Sequence, residues 1–423
     1  MLDIKFIREN PLLIKEAARK KRIQFYVEEL IDADNKRREL LASVEKKRAA
    51  QNDFSEMIAS ISDPNERAVK LLEMKNLKSD LSKEEEELKK VMKKWQALMI
   101  MVPNIPDISV PDGEGEADNR EVKRFGTPPK FDFTPKDHVT LMEKLGALDL
   151  DRGVKISGFR GYLLKNDGAV LSFALWQYAF SFFLSKGFTP MLAPVRVRRE
   201  FLVGTGYLPQ GEDDLYQTQD GEYLSGTAEV PTMGYFADEV IPKEKLPLKI
   251  LSFSPCFRRE AGSHGKDTKG IMRVHEFYKL EQVVLCEASH EESVKWHEWL
   301  NRNMEEFIEA FNIPYRTVVN CGADLGLGQV KKYDVELWTP SEGRFREISS
   351  ASYFHDFQSR RLNIRYKDAD GKTKFVHSLN STALPTPRIL VALIENNQRA
   401  DGSVAVPKVL QSLVGKEVMT PSD

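Results

Sequence analysis

No glycine occurs before Gly113, and between Pro11 and Pro103 the single proline is Pro64. A stretch of about a hundred residues with its helix breakers confined to "SISDPNERA" predicts two long helices joined by one turn at Ser62–Asn65. The apolar spacing points the same way. Met74, Leu77, Leu81, Glu84, Leu88, Val91, Trp95, Leu98 and Val102 keep a 3,4 rhythm. Leu30, Ala33, Arg37, Leu40, Val44, Lys47, Gln51, Phe54, Ile58 and Ile61 keep it with polar interruptions. Heptads on two helices with a short turn predict an antiparallel two-stranded coiled coil, an arm roughly 45–50 Å long. Its outer faces carry "NKRREL", "EKKRAA" and "KKVMKKW". Such cations form a solvated face, a dimerisation rod, or a grip on a distant phosphate-rich partner.

Residues 104–135, rich in proline, glycine and acids, read as a linker between this N-terminal domain (1–103) and a body spanning 136–423. The body mixes helical runs such as "LSFALWQYAFSFFLSK" with strand-like runs such as "FYKLEQVVLCE" and "YDVELWTP". Turns bound these strands, without regular βαβ spacing, so the expectation is α+β around an antiparallel sheet. No GxxxxGK[ST] loop or GxGxxG turn occurs, which removes the common nucleotide folds. The 423 residues carry a formal net charge of −2, which excludes a uniformly basic nucleic-acid coat but leaves room for a local basic face. Cys256, Cys286 and Cys321 are far apart and form no CxxC pair, so neither disulfides nor a structural zinc is expected. The N-terminus lacks a signal-peptide core, and no stretch approaches the roughly 20 apolar residues of a membrane span. A cytoplasmic chain with no membrane partner is the expectation.

The chemistry gathers in "FRREAGSHGKDTKGIMRVHEFYKLE", Phe257–Glu281. In a pleated strand Arg273, His275, Phe277, Lys279 and Glu281 share one face. That face offers a cation, an aromatic plate and, about 13 Å beyond the plate, a carboxylate. The preceding strand ends "CFRRE", placing Arg258 and Glu260 together and Arg259 opposite. Arginine forks match phosphate oxygens and stabilise charge on a transferring phosphorus. The intervening "AGSHGKDTKGIM" is too long for a tight hairpin and reads as a functional loop. "FREISSAS" puts Glu347 beside Ser349, Ser350 and Ser352, either a capped turn or an oxygen-rich Mg²⁺ and phosphate site. "LNSTALPTPRILVALIENNQ" places Arg388 where an apolar helix begins, a position that favours anions.

The Phe257–Glu281 stretch resembles motif 2 of class II aminoacyl-tRNA synthetases, and in detail the seryl-tRNA synthetase family. "LNSTALPTPRILVALIEN" resembles motif 3, and "KGFTPMLAPVRVRREFLVGTGYLP" resembles motif 1 and the segment after it. "LSGTAEV" is similar to that family's serine pocket, and "FREISSAS" with "DFQSRRLNIRY" to its next signature. The opening "MLDIKFIRENP" and the arm match its N-terminal, tRNA-binding domain, so the resemblance covers essentially the whole chain. It implies ATP-dependent serylation of serine tRNA, and of selenocysteine tRNA where present, by a homodimer whose arm grips the long variable arm. It further implies that Arg258 meets the α-phosphate, that Glu260 lies on the adenine side, and that Phe277 stacks the adenine. Arg273 and Arg388 would hold the outer phosphates, and Glu347 with Ser350 the Mg²⁺ that accompanies ATP. Arg259, Val274, Ile348 and Ser349 complete the implied ATP site. Thr227, Ala228, Glu229, Arg258, Glu281 and Thr382 would surround serine, with Glu281 and Thr382 reading its hydroxyl. The loop between the strands of motif 2 would move as the tRNA end enters. Two departures stand out: "YFHDFQ" (from Tyr353) replaces a polar, cysteine-bearing run, and "NSTALPTPR" replaces a glycine-rich version. The alternatives are a non-catalytic tRNA-binding paralogue and an armless relative that loads carrier proteins. The intact motif charges speak against the first and the arm against the second.

Overall fold

The computed structural model describes residues 1–262, 265 and 267–421. Parts of the motif 2 loop (Ser263, His264 and Lys266) lie outside the described residues, and with them the expectation of its movement. The chain divides into two compact units: Met1–Arg19 with Ile23–Pro103, and Lys20–Arg22 with Asn104 onward.

The first unit is helical: α1 (Ile4–Glu9), α2 (Pro11–Lys20), α3 (Val27–Ser60) and α4 (Pro64–Met101). The turn between α3 and α4 is Ile61–Asp63, slightly earlier than the sequence pattern indicated. Pro64 takes the first helical position, where its missing N–H costs nothing, and the Asp63 carboxylate accepts from Asn65 N at 2.7 Å. Leu40, Val44, Ile58 and Leu81 are buried along the seam. The polar seam positions pair across it. Lys47 meets Glu84 at 3.0 Å, Ser43 Oγ donates to Glu84 at 2.8 Å, and the Arg37 guanidinium lies 4.7 Å from the Trp95 ring centre. Partner numbers fall on α4 as they rise on α3, the antiparallel arrangement that the heptads predict.

The second unit is built on an eight-stranded sheet. In chain order its strands are β1 (Arg120–Phe125), β2 (Thr189–Leu192), β3 (Leu248–Phe257), β4 (Glu276–Cys286), β5 (Tyr315–Val319), β6 (Lys331–Thr339), β7 (Arg344–Tyr353) and β8 (His377–Thr386). They lie side by side as β1-β5-β6-β7-β8-β4-β3-β2, antiparallel throughout except for the β2–β3 pair. The stretch expected as a linker is corrected here. Residues 120–125 form edge strand β1 on β5, so the charged residues of "REVKRF" sit on a solvated sheet edge and not in a free crossing.

Helices α5 (Asn166–Ser185), α8 (His290–Glu309) and α10 (Arg388–Asn396) pack on this sheet, with α6 (Arg199–Thr205), α7 (Glu229–Tyr235) and α9 (Phe357–Leu362) around a cleft at its surface. Contrary to the sequence expectation, the 20-residue helix α5 is long and apolar enough to cross a membrane, with mean hydropathy 1.3 over an 18-residue stretch. Its Leu171, Leu175, Ala179 and Phe183 are instead buried in the sheet core. Phe307 of α8 closes that core. Its ring centre lies 4.9 Å from Phe311, 5.4 Å from Phe183, 5.6 Å from Phe182 and 5.8 Å from Tyr178. Phe307→Ala is expected to cost about 3–5 kcal/mol, read as a shift in the urea midpoint. A loss below about 1 kcal/mol would mean that the cluster collapses onto the gap, so that its packing carries little of the stability.

Candidate active site

Strand β4 serves two faces at once. Leu280 and Val284 point into the main core, whereas Phe277, Lys279 and Glu281 line a cleft of about 330 Å³. The strand begins at Glu276, so Arg273–His275 are not part of the pleat; likewise β3 ends at Phe257, before Arg258–Glu260. Arg258 and Glu260 still reach the cleft wall. Glu260 adopts a positive φ of 56°, turning the chain back at the strand's end.

Two bulges supply the neighbouring strands' contribution. On β7 the register against β6 slips at Ile348, with Val335 opposite Ser349 but Glu336 opposite Glu347. One extra residue therefore brings Glu347 to the same face as Ser350 and Ser352, and all three line the cleft. On β8 the register against β4 slips at Ala383, which sends Ala383 and Leu384 into the core and leaves Thr382 and Pro385 in the cleft. "FREISSAS" is thus the interior of a sheet strand, not a capped turn.

One group of side chains in the cleft is cationic and aromatic. The Arg258 guanidinium lies 5.3 Å from the Phe277 ring centre, with Nη2 donating to Gly226 O at 3.3 Å. Burial works against its charge, but the surrounding anionic and phenolic groups outweigh burial and raise its pKa. Arg388, the first residue of α10, donates from Nε to Met272 O at 3.1 Å and from Nη1 to Glu347 O at 3.3 Å. Burial lowers its pKa, and Glu347 partly opposes that.

The other group is acidic. Glu229 is fully enclosed at the start of α7 and accepts from Gln358 Nε2 at 2.6 Å and from Tyr207 OH at 3.0 Å. Burial raises its pKa to about 7; the Gln358 bond pulls down and the Glu281 carboxylate pushes further up. Glu281 Oε2 lies 2.6 Å from Lys279 Nζ, an ion-pair distance, yet this oxygen has no hydrogen bond of good geometry. A buried carboxylate with spare acceptor capacity is poised for a ligand that brings donors.

The cleft therefore gathers Arg258, Glu260, Val274, Phe277, Glu281, Glu347, Ile348, Ser350, Thr382, Glu229 and Arg388 from separate stretches of sequence. Five expected residues stand outside its wall. Arg273 binds Glu260 at 2.7 Å and Asp267 at 3.5 Å in an adjoining hollow. Arg259 is held through its backbone N–H to Asp214 O, and the Ser349 hydroxyl donates inward to Thr382 O. Thr227 and Ala228 are buried beneath Glu229, where Thr227 Oγ1 accepts from Glu229 N at 3.4 Å. Sequence reasoning missed Tyr207, Gln358 and the Gly326–Gln329 loop. Gln358 lay in view within "DFQSRR", and Gly328 marks a loop of close approach, but nothing local tied either to the cleft. Of the atypical Tyr353–His355 segment, Phe354 lines the wall. Among the described residues no group of three or more His, Cys, Asp or Glu is placed to hold a metal.

An antiparallel sheet carrying arginines, an aromatic plate and buried acids in one cleft is the architecture of a class II aminoacyl-tRNA synthetase. Residues 214–397 match the tRNA synthetase class II core domain (G, H, P, S and T), and residues 1–106 the seryl-tRNA synthetase N-terminal domain. The chain is 44% identical over 421 residues to the serine–tRNA ligase of Deinococcus radiodurans, covering 99% of each. It is 43% identical to that of Thermodesulfovibrio yellowstonii, covering 99% of this chain and 100% of the relative. Seryl-tRNA synthetase from Pyrococcus horikoshii complexed with ATP has a similar structure, with TM-score 0.91, 38% identity and full coverage of both chains. The cytoplasmic enzyme of Naegleria fowleri in complex with AMP gives 0.87 at 31% identity, covering 100% and 99%. The chain belongs to the seryl-tRNA synthetase family.

The raised pKa of Glu229 makes stability depend on pH. The folded protein holds its proton up to about pH 7, whereas the unfolded chain releases it near 4.5. The native state binds more protons between these values, so stability falls as pH rises through that window, by about 3 kcal/mol. Glu229→Gln removes this slope. Urea midpoints at pH 5.5 and 8 are expected to show the variant gaining on the parent at the higher pH; parallel profiles would contradict the assignment.

Proposed function

We infer that this chain is an ATP-dependent serine–tRNA ligase. The observation that carries the reading is the single cleft in which Arg258 lies against Phe277 at one group and Glu229 and Glu281 form the other, within a chain matched end to end by serine–tRNA ligases. In the first step a carboxylate oxygen of serine attacks the α-phosphorus of ATP in line. The bond from that phosphorus to the bridging oxygen breaks, and pyrophosphate leaves. In the second step a hydroxyl of the tRNA's terminal ribose attacks the carbonyl carbon of the seryl-adenylate and AMP departs. Neither step needs a covalent enzyme intermediate, so positioning and charge stabilisation carry the rate.

We assign Phe277 as the plate for adenine, Arg258 as the cation at the α-phosphate, and Arg388 as a cation for the outer phosphates. Arg273, in the adjoining hollow, would act on phosphate by exchanging its bonds to Glu260 and Asp267. Glu347 and Ser350 offer the hard oxygens that Mg²⁺ takes alongside phosphate and water; the ion would neutralise phosphate charge. Glu229 and Glu281 suit the ammonium and hydroxyl of serine, with Thr382 beside them. Alanine would leave their buried acceptors unpaired, which discriminates by far more than the loss of one contact. The helical pair α3–α4, with its basic outer residues, is assigned to the tRNA. A cytoplasmic homodimer is the assembly we assign, on the family resemblance and on the apolar residues that α5 leaves exposed, Phe173 above all at 75%.

Three experiments test this. In serine-dependent ATP–pyrophosphate exchange, Arg258→Ala is expected to lose at least about 10²-fold in kcat. Glu281→Ala should raise KM for serine far more than KM for ATP. Near-normal exchange in the first, or equal losses in the second, would overturn the roles given. Removing residues 30–98 should spare exchange and abolish tRNA charging; persistent charging would remove the helical pair from tRNA recognition.

A further inference from the structure

All four backbone carbonyls of the Gly326–Gln329 loop are taken by two residues that lie far away in sequence. Lys21 Nζ donates to Gly326 O at 3.0 Å, to Leu327 O at 2.9 Å and to Gln329 O at 2.6 Å. Asn104 donates from its backbone N to Leu327 O at 2.9 Å, and from Nδ2 to Gly328 O at 2.9 Å and Phe354 O at 2.8 Å. Both side chains are buried, at 3% and 4% exposure. Carbonyls turned to one side repel one another and cannot be left dry without donors. An ammonium presents three donors from one point, so a single lysine can gather three of them.

The loop's other side is cleft wall. Gly326–Gln329 line it together with Ser352 and Phe354. Gln329 Nε2 donates to Ser352 Oγ at 2.8 Å, and Ser352 faces Asn380 across the β7–β8 ladder, two residues before Thr382. At Gly328 a Cβ would stand 2.6 Å from the Phe357 ring, so the loop backbone rests against α9, and the next residue of α9, Gln358, holds Glu229. These contacts place the loop at the acidic group of the cleft.

We propose that Lys21 and Asn104 are positioning residues for the reaction, fixing the Gly326–Gln329 loop as the wall of the amino-acid end of the cleft. The inference rests on the reading of Glu229 and Glu281 as the serine end. Both residues fall within the segment matched as the N-terminal domain, 1–106, and outside the core match, 214–397. Yet Lys20–Arg22 and Asn104 cluster with the sheet unit. On this proposal amino-acid recognition depends on two residues that lie within the stretch matched as the N-terminal domain. The deletion of 30–98 keeps both.

The test uses the full chain carrying Lys21→Met or Asn104→Ala, with KM for serine and KM for ATP measured separately in pyrophosphate exchange. Each variant is expected to raise KM for serine at least about tenfold while KM for ATP stays within about twofold. Lys21→Arg, which keeps the charge and the donors, is expected to recover part of the loss. Equal rises in both KM values, or an unchanged KM for serine in a folded variant, would overturn the proposal. If Lys21→Met does not fold, Asn104→Ala decides alone, because it leaves the three lysine bonds in place. Glu281→Ala run in parallel separates the two readings. If it raises KM for serine and the loop variants do not, only the positioning role fails; if the parent shows no serine dependence, the function itself fails.

Discussion

The burial of charge on the central strand β4 is the constraint around which this molecule is arranged. Between Phe277 and Leu285 the odd positions face the cleft or a second, smaller apolar cluster, whereas Leu280 and Val284 enter the main core and Tyr278 is exposed. Leu280 and Val284 anchor the strand between its neighbours, which fixes Lys279 and Glu281 in a dry place that neither would choose alone. An unpaired buried charge costs several kcal/mol, so each has been given the other, at 2.6 Å. The pairing is incomplete, however. The missing hydrogen bond at Glu281 Oε2 leaves capacity that a ligand can use without rearranging the sheet.

How much of this was legible in the sequence depends on which interactions are local. The alternation of β4 and the heptads of α3 and α4 are properties of single segments, and both read directly. The glycine-free opening located the helical pair, because a helix interior tolerates few breakers. Residues 104–135 misled because composition reports solvent exposure; an edge strand such as β1 is exposed and charged for the same reason as a linker. The two bulges were invisible in a different way. Parity along "FREISSAS" puts Glu347 and Ser350 on opposite faces, and only the slip at Ile348 against β6 brings them together. Register belongs to a pair of strands, and one strand's sequence does not contain it.

Arg273 shows the same limit. Its place in "RVHEFYKLE" looks like one more tooth of the pleat, but the strand starts three residues later, so pleat geometry does not govern it. It forms instead a bridge to Glu260 and Asp267. Gln358 and Lys21 were harder still. A glutamine inside a helix and a lysine among lysines carry no local mark, and their partners stand 129 residues away in the case of Gln358 and Glu229, and more than 300 in the case of Lys21 and the Gly326–Gln329 loop. The residues that act directly on a ligand tend to be chemically conspicuous, whereas those that hold them in place are ordinary.

The acidic end of the cleft shows why that support matters. Burial raises the cost of ionising Glu229 and the neighbouring Glu281 carboxylate adds to it, so Glu229 titrates near pH 7 in the free protein. A ligand bearing an ammonium reverses the balance: it supplies charge and donors together, and the carboxylates' mutual repulsion becomes attraction toward a shared cation. This gain is available only while both carboxylates and the opposite wall keep their spacing. A wall free to collapse toward the acids would change their spacing, and the preference for a ligand bearing an ammonium would be lost. Gln358, fixed by Ser378 Oγ at 2.7 Å, prevents this on the Glu229 side. The Gly326–Gln329 loop can do so only if its four carbonyls are held from behind, which makes the buried lysine at its back part of the site as well as of the fold.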